Sequence, residues 1–155
     1  MKYLLLIFAL LFLPSCNETT KANSPVLKKT TAEQLKKKLS WKDFHKFCGP
    51  QNANRSKNFP LLKDAQILWA GTFFDMPDDA AHTVVRIKMN PSDGLADVTL
   101  RIPKGMKAKG KELKLKDNVK FKGKMSYLGS RLMDHIVTCD DFKKYEPKPP
   151  KPKSR

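Results

Sequence analysis

Arginine is scarce in this strongly basic chain, and the scarcity narrows what the charge is for. Of 31 basic residues set against 15 acids, a formal charge of +16, only five are arginine: Arg55, Arg86, Arg101, Arg131 and Arg155. Two-point recognition of phosphate or guanine favours the planar guanidinium, whereas lysine is a hydrated point charge. The excess therefore argues for solubility, or for nearness to anionic polymers and lipid headgroups, and not for nucleic acid. Cysteine is also sparse, at three, with no C-x-x-C pair, and His45, His82 and His135 are scattered without ligand spacing. That argues against zinc. Glycine-rich phosphate loops are missing. Asp134-His135, near Ser126 and Ser130, is the one cluster with hydrolase-like residue types, and adjacent strand residues point to opposite faces. Asp75, Asp78 and Asp79 form an acidic loop without the twelve-residue calcium pattern. The expectation is a chain that is not an enzyme, with no cofactor and no metal.

Long apolar runs are absent except for one. Lys2 precedes eleven uncharged residues, Tyr3 to Leu13, which is the layout of a secretory leader and short for a mature membrane span. Its ending, Leu13-Pro14-Ser15-Cys16, resembles a bacterial lipobox. The resemblance implies a diacylglycerol thioether on Cys16, removal of residues 1–15 and attachment to a membrane of the cell envelope. An ordinary signal peptide or an N-terminal anchor is the alternative. Asn17 stands where aspartate retains many enterobacterial lipoproteins at the inner membrane, which favours the outer membrane. Cys48 and Cys139 are then an even pair in an oxidising compartment. A bridge between them would contribute about 4 kcal/mol by closing a long loop. Two buried free thiols are the other arrangement the spacing allows.

Residues 16–29 read as a flexible polar tether and 143–155, with four prolines, as a basic disordered tail. Between them, 30–142 reads as one domain. Thr30 to Gln34 offers a capping box, and Ser40 with Asp43 a second helix start. Trp41, Phe44, Phe47 and Cys48 then share one helical face, expected to seal one end of a core, and Gly49-Pro50 supplies the stop, glycine taking the left-handed conformation and proline unable to continue the helix.

From Ala65 the period becomes two. Gln66 to Phe74, Thr83 to Met89, Asp97 to Ile102, a segment centred on Val119 to Met125, and a short His135 to Cys139 read as five strands. Gly71 is expected to permit a bulge or a sharp coil in the first. Pro91 to Gly94 is a turn, Lys104 to Lys116 a longer crossing without a regular long helix, and Tyr127 to Arg131 a hairpin turn around Gly129. Three strands, a longer connection and two more strands predict a mainly β fold, a five-stranded OB-fold-like barrel with an N-terminal helix. A β-sandwich is the runner-up.

The segment Trp41-Lys42-Asp43-Phe44-His45-Lys46-Phe47-Cys48-Gly49-Pro50 resembles the opening of the luminal OB-fold domain of the wolframin family. Ile67 to Phe73, with Trp69 and Gly71, is similar to that family's Val-x-Trp-x-Gly-x-Phe strand. Asp97 to Arg101, Val119 to Gly123 and Ile136 to Cys139 follow in matching order. Over residues 40–142 the resemblance implies an OB-fold on the oxidising side of a membrane, a binding module without catalytic residues, and matching positions for Cys48 and Cys139.

Two binding readings follow. In the first, an envelope or surface protein is held on the face of the second and third strands, by Arg86, Lys88, Thr99 and Arg101, with Phe74, Met76 and Tyr127 at the rim. In the second, an anionic polymer or lipid headgroup lies on the same face extended by Lys120, Lys122 and Lys124.

Overall fold

The computed structural model describes residues 24–77, 82–90, 95–130 and 133–147. The leader, Cys16, Asp78 and Asp79, the Pro91–Gly94 turn, Arg131 and most of the proline-rich tail lie outside the described residues. Three short helices, α1 (Lys29–Lys37), α2 (Trp41–Cys48) and α3 (Arg55–Leu62), precede the strands β1 (Gln66–Asp75), β2 (Thr83–Lys88) and β3 (Val98–Ile102). A 3-10 turn (Lys104–Met106) and α4 (Lys107–Lys111) cross to β4 (Asn118–Tyr127) and β5 (His135–Lys144). The strands close into a barrel in the order β1-β2-β3-β5-β4, with β3 and β5 parallel and every other neighbour antiparallel. The expected five-stranded barrel is therefore the fold.

Alternation builds that barrel. Along β4, Val119, Phe121 and Met125 are buried while Lys120, Lys122 and Lys124 are exposed. Val85, Ile87, Val98, Leu100, Val137 and Phe142 complete the interior from the other strands. Each buried large apolar side chain contributes roughly 1.5–3 kcal/mol relative to exposure. The α2 stripe closes one end. Phe44 and Cys48 are fully buried, Trp41 meets Trp69 edge to face with ring centres 5.2 Å apart, and Phe44 meets the His135 ring at 4.8 Å. Trp69 Nε1–H donates to the Leu39 carbonyl at 2.6 Å, tying the α1–α2 junction to β1.

Four local expectations are corrected. The α1 capping box does not form: the helix starts at Lys29, and Lys28 at its cap lends no side chain. Ser40 does cap α2, accepting from Asp43 N–H at 3.0 Å. Gly49 is extended, not left-handed (φ −61°), and it is small because a Cβ would stand 2.3 Å from the His45 carbonyl oxygen. The β1 bulge falls between Phe73 and Asp75, beyond Gly71. At Gly71 the need is close approach, since a Cβ would lie 2.5 Å from the Ile87 side chain where β1 passes from pairing with β4 to pairing with β2. Finally, β5 runs on to Lys144, taking Lys143 and Lys144 from the expected tail into the sheet, where Lys144 pairs with Asp117 at 2.8 Å.

The expected tether also ends early. Ser24, Pro25 and Leu27 are held by three asparagines around α3. Asn54 Nδ2 donates to the Ser24 carbonyl at 2.9 Å, and Asn52 and Asn58 both donate to the Pro25 carbonyl, at 3.1 and 3.0 Å. Asn58 Oδ1 accepts from Leu27 N–H at 2.9 Å. Asn52 and Asn58 are themselves buried, and these bonds satisfy polar groups that would otherwise cost about 1–3 kcal/mol each.

Candidate functional site

One outward row runs across all five strands. The register places Asp75 opposite Arg86, Arg86 opposite Thr99, Thr99 opposite Ile136 and Ile136 opposite Tyr127, one residue from each strand. The bulge after Phe73 brings Asp75 into register with Arg86. There the carboxylate takes two hydrogen bonds from the guanidinium, from Nε at 2.6 Å and from a terminal nitrogen. That pairing raises the Arg86 pKa above its already high ordinary value. The Phe74 ring lies 5.2 Å from the same guanidinium.

Further acids surround this row. Thr99 Oγ1–H donates to Asp134 at 2.8 Å. Burial raises the Asp134 pKa, with the Thr99 bond and Arg86 opposing the shift. Asp97 accepts from the backbone N–H groups of Met89 and Asn90, at 2.6 and 3.1 Å, which holds the β2–β3 connection against β3. Leu95 and Met133, both exposed, lie two residues upstream of Asp97 and His135, which are joined by a 2.9 Å backbone bond. Tyr127 is exposed at the end of the row. The face is thus mixed: one neutralised cation, three acids, hydroxyls and an apolar margin.

The seven expected ligand residues divide. Arg86 and Thr99 sit side by side in the row. Arg101 and Lys124 flank Thr138 on β5, so these two share the next row. Lys88 lies opposite Thr72 on β1. Lys120 and Lys122 run down β4, on the other side of β1 from β2, and are not part of the β2–β3 face. Lys120 stands opposite Lys143, Lys122 opposite Asp141, and beside Lys122 on β1 the exposed residue is Leu68. Asp75, Asp97, Asp134 and Ile136 were not among the expected ligand residues. The parity of Asp134 against buried His135 was the signal that could have placed that acid outside.

Asp134 and His135 do not act together. Asp134 faces Thr99, while the His135 ring points inward and its Nδ1 accepts from Gly129 N–H at 2.9 Å. Burial, with Arg55 and His45 nearby, pushes the imidazole pKa down to about 4. Arg55 donates to the Gly129 carbonyl, so α3 and His135 hold the β4–β5 turn from two sides. Among the described residues no group of three or more histidine, cysteine or acidic side chains is placed to hold a metal, and no helix is long and apolar enough to cross a membrane.

Cys48 and Cys139 are separate buried thiols, not the expected bridge. They occupy different surroundings: Arg55 acts on Cys48, whereas Cys139 lies near Asp140, Asp141 and Lys109 and its thiol meets the Asp141 carbonyl at 3.3 Å. Burial pushes both thiols up to about 12, which leaves them without thiolate character.

No family model and no curated protein matches the chain. Among solved structures, the chain is similar to OBody AM3L15 bound to hen egg-white lysozyme, at 18% identity and TM-score 0.44, covering 61% of this chain and 88% of that one. It is also similar to OBody AM3L09 bound to the same protein, at 20% identity and TM-score 0.44, covering 54% and 83%.

Proposed function

We propose that this protein is a lipid-anchored, non-catalytic binding module of a bacterial envelope, and that the row from Asp75 to Tyr127 holds a protein partner. The observation that carries the reading is the Arg86–Asp75 pair. An anionic polymer needs free cations, and the central cation of this face is already matched by Asp75, with Asp134 close to it. What the face offers instead is paired charge, hydroxyls and the exposed side chains of Leu95, Met133 and Tyr127. Such a surface suits a protein, which can match the paired polar groups by hydrogen bonds and cover the apolar side chains beside them. The anchor rests on the Leu-Pro-Ser-Cys ending alone.

Two measurements test this. Fatty-acid labelling of cells producing the full chain should mark the wild type, and Cys16→Ser should abolish the label and leave an unprocessed or soluble form. A Cys16→Ser chain that still labels contradicts the anchor. A partner complex isolated from envelopes should survive a rise in salt from about 0.1 to 0.5 M, because exposed charges are largely screened over that range while desolvated contacts are not. A complex that dissociates steeply with salt is that of an anionic polymer.

A further inference from the structure

The charge of this chain is not spread evenly over its fold. From Ser24 to Lys63, the helical cap, ten lysines and arginines meet two acids, Glu33 and Asp43. All nine lysines of that segment are exposed. Among the described residues, the ion pairs (Arg86–Asp75, Lys109–Asp141 and Lys144–Asp117) all lie on the barrel or its connections, so none of the cap lysines is neutralised in this way.

The cap is also where the chain enters the fold. Ser24 and Pro25 are pinned by Asn52, Asn54 and Asn58, and Asn52 also bonds the Lys46 carbonyl at 2.9 Å. Lys28, Lys46 and Lys57 therefore stand around the entry point, each within a few residues of a pinning contact. Seven residues separate Cys16 from Ser24. A chain of that length can span at most about 28 Å. A membrane-attached Cys16 would keep the cap close enough to touch the headgroups, and it is within a Debye length, about 8 Å at physiological salt, that their charge acts.

We propose that the helical cap is a membrane-contact surface whose exposed lysines lie against anionic phospholipid headgroups, acting with the acyl chains as the second of two attachment signals. The proposal rests on the lipid-anchor reading for the tether length, and on the cap itself for the charge. Juxtamembrane lysines act additively on anionic lipid, about 1 kcal/mol for each one near the surface, and this adds to what the acyl chains supply. A basic cap next to the anchor would strengthen attachment and limit how the barrel turns above the bilayer.

The test uses residues 16–155 carrying Cys16→Ser. This chain keeps the whole core from Leu27 to Phe142 and bears no acyl group, so vesicle binding reads the protein surface alone. Co-sedimentation at about 0.1 M salt is compared for neutral phosphatidylcholine vesicles and for vesicles with about a third phosphatidylglycerol. Binding is expected only to the anionic vesicles, and to fall at least tenfold when Lys28, Lys29, Lys46 and Lys57 are all changed to glutamine. The same four changed to arginine should retain it, and Lys120→Gln, Lys122→Gln and Lys124→Gln together should lower it less than threefold. Equal binding to neutral vesicles, no loss in the cap variant, or a greater loss in the barrel variant overturns the proposal. Failure of Cys16 to label in cells would remove the anchor while leaving this vesicle result standing by itself.

Discussion

Gly129 donates its backbone N–H to Nδ1 of the buried His135, and that bond requires the nitrogen to be unprotonated. The imidazole is further enclosed by Trp41 and Phe44, with the Arg55 cation nearby. Neutral histidine is therefore built into the turn between β4 and β5, next to the row proposed to bind a partner.

A pH dependence follows. The folded-state pKa of His135 is about 4, below its ordinary 6.5, so the unfolded chain binds the proton more tightly. The stabilisation is complete above about pH 6.5 and is lost as pH falls towards 4, by on the order of 3 kcal/mol. Urea unfolding across that range, together with an NMR titration of the imidazole, checks it. An imidazole titrating near 6.5 contradicts the burial.

The β4 alternation makes a second contrast. Phe121 is buried and meets the Trp69 ring at 6.2 Å, so Phe121→Ala should cost about 3–5 kcal/mol. Lys122 is exposed, and Lys122→Ala should change stability by less than about 0.5 kcal/mol. Chemical denaturation of both variants measures the difference. Similar losses at the two positions would mean the strand is out of register.

Lys120 and Lys143 stand directly opposite each other on β4 and β5. Like charges in that relation repel and opposite charges attract, each by a few tenths of a kcal/mol to about 1 kcal/mol. Lys143→Glu should therefore raise the unfolding midpoint, and more so at low salt. No change, or a decrease, would show that β5 ends before Lys143.

The two thiols supply a fourth. Cys48 and Cys139 are buried, unbonded and held up to about 12 in pKa. Maleimide should label neither in the native protein and both after unfolding without reductant. A denatured, unreduced chain in which neither cysteine takes label carries the bridge that this structure lacks.

The sequence made the barrel legible wherever alternation was clean. Along β4 a lysine at every second position left one assignment of faces, and the α2 stripe had the spacing of a single buried side. Other features depend on partners distant in the chain. Helix α3 holds Pro60 and the buried polar Asn58, so its apolar pattern is poor, and it is held in place by Asn58 bonds to Pro25 and Phe47. Sequence period could not find it. Lys143 and Lys144 read as tail because they are charged, although their backbone pairs with β4. At the candidate site, Arg86 and Thr99 were readable as outward residues of neighbouring strands. Asp75 was not, because its alignment with Arg86 follows the bulge after Phe73; Asp134 was readable as outward from its parity against His135, but its partner Thr99, 35 residues away, was not.

The most direct measurement is site-specific photo-crosslinking of the full-length protein in its native envelope. A photoreactive residue placed at Met133, beside the proposed row, should give a discrete adduct with one envelope protein. That adduct should weaken when Leu95→Glu and Tyr127→Glu are introduced. The same probe at Gly105, in the β3–β4 crossing where a Cβ meets nothing within 4 Å, should give none. Equal adducts from both positions, or an adduct from Gly105 alone, would contradict a partner site on the row from Asp75 to Tyr127.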